Sequence, residues 1–147
     1  MKTTATISII FAMMFIFSNV NSQTIEIQSN CCGKTVRSLT KSSKSKEIKL
    51  KDGQTYTMNF SLKKGRTYLI KINGAKTLGD VQYRIKRVDD SGNETILYDN
   101  SIDEFRDKIV FKAGYNGKAI LEVITQPGSE YTENKGKEDV GILIAYN

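Results

Sequence analysis

From residue 46 onward, apolar and polar positions mostly alternate with a period of two, the spacing of a β-strand with one buried face. The clearest run is residues 53–73: Tyr56, Met58, Phe60 and Leu62 interleave with Thr55, Thr57, Asn59 and Ser61. After Lys63-Lys64-Gly65 the alternation resumes through Tyr68, Ile70 and Ile72. This predicts a hairpin, with Gly65 supplying the positive φ of a short bulged turn. A lone hairpin is marginal in water, so its apolar face requires further strands and a second sheet.

The remaining pattern supplies them. Residues 24–28 and 46–51 alternate through Ile25, Ile27, Ile48 and Leu50, and Asp52-Gly53 signals a turn. Val81, Tyr83 and Ile85 mark another strand, the 89–93 cluster a turn, and residues 94–99 the returning strand. Ser101-Ile102-Asp103-Glu104 has the spacing of a capping box and predicts one helical turn. Residues 108–112 and 118–125 are continuous apolar strands, with Asn116-Gly117 expected as a primed turn between them. Residues 140–146 form the last strand. About nine short strands with no long helical period define an all-β chain, an antiparallel β-sandwich of jelly-roll-like topology.

The chain opens with Lys2 and an apolar run from Ile7 to Phe17, the length of a signal-peptide core and too short for a membrane span of ~20 residues. Residues 1–22 read as a signal peptide cut before Gln23, making the protein secreted or periplasmic, with no transmembrane span in the mature chain. Residues 23–46 then form an N-terminal strand and a basic Ser/Lys-rich loop, and 47–147 the β-sandwich domain. The formal charge is +6, about +5 once Lys2 is removed. Much of it sits in one arm, where Lys34, Arg37, Lys41, Lys44 and Lys46 face no acid between residues 29 and 46. Such an arm is expected to be mobile and to favour anionic partners. Without interleaved aromatics it does not point to nucleic acid.

The succession 53–60, 65–72, 78–85 (LGDVQYRI), 96–101 (ILYDNS), 109–113 and 117–123 resembles the bacterial pre-peptidase C-terminal domain, a small jelly-roll sandwich attached to exported enzymes. The similarity spans residues 50–146. It implies a non-catalytic accessory module. That family's aspartate-rich pattern is reduced here to Asp80, which counts against its calcium site.

Candidate chemistry is sparse. The chain has no His, so Cys–His and Ser–His–Asp catalysis and His-based zinc sites are excluded within it. Cys31 and Cys32 are adjacent and have three readings: a strained vicinal disulfide, disulfides to another chain, or free thiols. Carboxylates gather in three groups, at Asp89, Asp90 and Glu94, at Asp99, Asp103, Glu104 and Asp107, and at Glu130, Glu133, Glu138 and Asp139. They read as solvated turn acids, without the alternation of an EF-hand loop. There is no Trp, so sugar stacking would fall to Tyr98, Tyr115 and Tyr131, the last in a long loop with Glu130. The expectation is an exported, non-catalytic module without cofactor or metal. It would bind a glycan, an envelope component or a protein partner. The alternative is a structural or assembly protein acting through Cys31-Cys32 and the basic arm.

Overall fold

The computed structural model describes residues 24–27, 37–127 and 136–147. Ten strands lie among them: β1 (Thr24–Ile27), β2 (Arg37–Lys41), β3 (Lys46–Leu50), β4 (Thr55–Leu62), β5 (Thr67–Gly74), β6 (Val81–Val88), β7 (Glu94–Asp99), β8 (Lys108–Lys112), β9 (Gly117–Thr125) and β10 (Glu138–Tyr146). All pairings are antiparallel. One sheet runs β1-β2-β10-β5-β8, with β3 also on β10; the other runs β4-β9-β6-β7. The chain is therefore the expected all-β sandwich. With β3-β10-β5-β8 facing β4-β9-β6-β7, and every step after β3 except β6→β7 changing sheet, the order is jelly-roll-like.

The alternating apolar positions turn inward from both sheets, as sandwich packing requires. Phe60, Ile70, Tyr83, Leu121, Val123 and Ile144 lie in one continuous buried cluster. The topology corrects one expectation, because β4 and β5 are not a hairpin. β4 pairs with β9, and β5 pairs with β10 and β8. Residues 63–66 carry the chain across the sandwich, with Gly65 at φ 88°. Alternation is the same in both cases, since either arrangement buries one face. Asn116-Gly117 is likewise no primed turn: β8 and β9 lie in different sheets, and neither residue has positive φ. The β6–β7 pair is the hairpin that residues 89–93 were expected to make, closed by Gly92 at φ 85°.

The basic arm departs from expectation too. Arg37–Lys41 is strand β2, paired with β1 and with the end of β10. Leu39, the apolar residue of that stretch, is buried against Leu69 and Ala145 on the outer side of the sheet. β2 and β3 run end to end along β10, joined by residues 42–45, which bulge opposite Leu143 and Ile144. The Ser45 hydroxyl takes the place of a strand neighbour there, donating to Ile144 O and accepting from Ile144 N, both at 2.9 Å. The helical turn expected at 101–104 is instead a 3-10 turn at Asn100–Ile102, capped by Asp99 accepting from Ser101 N at 2.9 Å.

Candidate functional site

Three connections meet at one end of the sandwich: residues 63–66 after β4, the 89–93 hairpin turn after β6, and residues 113–116 after β8. They enclose an open basin of about 830 Å³ lined by Ser61, Leu62, Lys63, Arg87, Val88, Asp89, Asp90, Gly92, Tyr115, Asn116, Gly117 and Lys118. The backbone around it is braced. Gly65 N donates to Ala113 O at 2.8 Å, and Ala113 N to Arg66 O at 2.9 Å. Asn116 Oδ1 accepts from Lys64 N at 2.8 Å, and the Tyr68 hydroxyl accepts from Lys63 N at 2.9 Å.

At the centre, the Arg87 guanidinium stacks on the Tyr115 ring, 4.5 Å from its centroid, a cation–π contact. Gly117 leaves the ring its place, since a Cβ there would lie 3.2 Å from Tyr115 Cε2. Burial pushes the Tyr115 hydroxyl above its ordinary pKa, against the opposing pull of the Arg87 charge. That hydroxyl is buried without a protein partner. Asp89 is consumed by its own turn, where the Asn93 amide, Asn93 N and Ser91 N all donate to it. Those bonds, the Asn93 side chain's first, hold its carboxyl below the usual range. The cations Lys63, Arg87 and Lys118 thus face Asp90 as the one acid of the basin not tied into the turn.

The structure does not bring the sequence-predicted tyrosines together. Tyr115 lines the basin. Tyr98, near the far end of β7, is half-buried against Tyr83 with ring centroids 5.6 Å apart, and donates to Asp103 Oδ2 at 3.1 Å. Tyr131 and Glu130 lie outside the described residues, as do Cys31, Cys32 and Lys34. Of the basic arm, Arg37 and Lys41 are in β2, Lys44 is in the bulge, and Lys46 opens β3 with its ammonium 4.7 Å from the Tyr56 ring centroid.

In the second carboxylate group, Asp99 is structural. Asp99 accepts from Arg84 Nε at 2.7 Å, from Gln82 Nε2 at 3.0 Å and from Ser101 Oγ at 2.7 Å. Burial raises its carboxyl, but the bonds from Ser101, Arg84 and Gln82 outweigh this and hold it well below the usual carboxylate range. Among the described residues, no three His, Cys, Asp or Glu converge as a metal cage. Sequence reasoning missed Lys63, Arg87, Asn116 and Lys118. Their common signal is position, since all sit beside turns that a sandwich brings to one end.

Fold and basin together define a small all-β sandwich with a basic, aromatic-centred cup at one end. No family model matches the chain, and no curated protein matches it. Among solved structures it is similar to PliG of Aeromonas hydrophila, a periplasmic lysozyme inhibitor of g-type lysozyme. Identity is 15% over 70% of this chain and 86% of that one, with a TM-score of 0.49. It is also similar to a protein of Sulfurospirillum deleyianum at 10% identity, over 72% of this chain and 99% of that one, with a TM-score of 0.46. At these values the likeness concerns the chain path, and the inhibitor's target stays a property of that protein.

Proposed function

We propose that this chain is an exported, non-catalytic binding module whose ligand site is the end basin, and that its ligand is an acidic glycan of the cell envelope. The observation that carries this reading is the Arg87–Tyr115 stack between braced turns. A ring with a guanidinium on its face offers an apolar surface for a sugar and a fixed fork of donors for its carboxylate or sulfate. Lys63 and Lys118 add two further cations at the rim. The alternative is assembly through Cys31-Cys32 and the basic arm, of which Cys31, Cys32 and Lys34 lie outside the described residues.

The test is calorimetric titration with an acidic oligosaccharide of heparin type at low and moderate salt. Arg87→Ala is expected to weaken binding about tenfold or more, the effect of losing a charged hydrogen bond of about 1.5–3 kcal/mol. Tyr115→Ala should weaken it similarly, while Tyr98→Ala should bind as wild type. Wild-type affinity in both basin variants, or preference for a neutral glycan, would refute the assignment.

A further inference from the structure

One long side of the sandwich is unlike the other. Among the described residues, β7 pairs with β6 alone and β8 with β5 alone, so both end their sheets as edges there. They end their sheets on the same side, because the chain passes from β7 to β8 through residues 100–107. The exposed large hydrophobic side chains among the described residues are Ile96, Leu97, Ile102 and Val110, and all four fall on these two edges or their connection. Tyr98, Ile109 and Phe111 are half-buried at the seam between the sheets. On the opposite side β4 presents Thr, Asn and Ser outward, and Lys46 covers Tyr56. Proteins blunt open edges because unpaired strands invite another chain, and apolar side chains on such an edge mark an interaction surface.

The surface is also divided by charge. Residues 94–107 hold Glu94, Asp99, Asp103, Glu104 and Asp107 against Arg106; within the protomer Glu94 already meets Lys86, Asp99 meets Arg84, Asp103 meets Arg106 and Asp107 meets Lys71. Residues 108–118 hold Lys108, Lys112 and Lys118 and no acid. An acidic edge beside a basic edge is self-complementary under a two-fold axis running along the strands. That operation sets each β7 against the partner's β8. It keeps strand direction, and β7 and β8 run oppositely, so the new pairs are antiparallel. Glu94 then meets Lys112 of the partner subunit, and Glu104 approaches Lys108 of the partner subunit. The other two-fold, across the strands, would place β7 against β7 and acid against acid.

We infer that this side is a homodimer interface in which the β7 edge pairs with the partner's β8 edge, joining each sheet of one protomer to a sheet of the other and sealing the apolar seam. This reading is independent of the basin, which opens at the end of the sandwich.

Light scattering coupled to size exclusion tests it. At a load on the order of 100 µM, well above a micromolar Kd, the purified protein should run at twice the protomer mass. One variant, Lys108→Glu with Lys112→Glu, makes the contact positions of both edges acidic; a second, Glu94→Lys with Glu104→Lys, makes those contact positions basic. Each alone should run as a monomer. Mixed, they should regain the double mass, because every acidic edge then meets a basic one. Recovery on mixing cannot come from misfolded protein, so it separates edge pairing from loss of structure. A monomeric wild type, or a dimer indifferent to both reversals, would overturn the inference. So would two monomeric variants that fail to associate while keeping wild-type circular dichroism.

Discussion

Asn100 offers the sharpest test of how this fold is held. It is completely buried, one residue beyond the end of β7. Its Oδ1 accepts from Tyr83 N at 2.7 Å, and its Nδ2 donates to Val81 O at 3.0 Å and to Arg106 O at 3.2 Å. Tyr83 N and Val81 O are the β6 groups that a longer β7 would have paired, so the side-chain amide continues the ladder after the backbone has turned away. Asn100→Ala leaves one buried N–H and two carbonyls without that partner. At about 1–3 kcal/mol for a buried group left unsatisfied, with the carbonyls partly recoverable by water, the loss should be about 3–5 kcal/mol. With a slope of about 2 kcal/mol per molar urea, the unfolding midpoint should fall by about 2 M. Asn100→Asp keeps the acceptor but loses both donations and buries a charge, so it should be at least as damaging. A midpoint shift worth less than about 1 kcal/mol in Asn100→Ala would refute this account of the β7–β8 connection.

Phe60→Ala and Ile70→Ala each remove a buried side chain from facing sheets and should each cost about 2–5 kcal/mol in urea unfolding; unchanged midpoints would mean the inward faces are misassigned. Asp99 titrates below its unfolded value, so its contribution is fully present above an unfolded pKa of about 3.9 and is lost as pH falls from there through the folded value. Asp99→Asn should therefore be less stable than wild type at neutral pH and show a flatter decline between about pH 4 and 2, read by thermal melts across that range; parallel acid limbs in the two proteins would count against it.

The sequence was most legible where burial is one-sided. Alternation through Tyr56–Leu62, Tyr68–Ile72 and Val81–Ile85 identified strands and inward faces, because a period of two does not depend on which strand lies alongside. For the same reason it was silent on pairing. Lys63-Lys64-Gly65 turns the chain equally well within a sheet or across a sandwich, and only long-range register decides between them. β2 escaped notice because Leu39 is a single apolar residue among Ser, Thr and Lys, and its burial depends on Leu69 and Ala145 from distant strands. Tyr115 could be singled out as an aromatic in a turn. Arg87 could not be linked to it, since their contact exists because separate connections share one end of the fold.

That shared end also ties the two surfaces together. A two-fold axis along the strands leaves the turns of both protomers at the same end, so β7–β8 pairing would present two basins in one direction. The two-fold across the strands would point the basins apart, and a monomer would offer one. Acidic envelope glycans are repeating polymers, and two cups engaging one chain convert the second contact into an intramolecular event. Linked sites of modest individual strength can gain about 10²–10⁴ in avidity when the geometry permits both to engage. A basin this open, with three cations and one stacked ring, is suited to weak contact with each repeat. On these two proposals, the exposed apolar edge, a liability for a solitary sandwich, would let a shallow site hold a polymeric ligand.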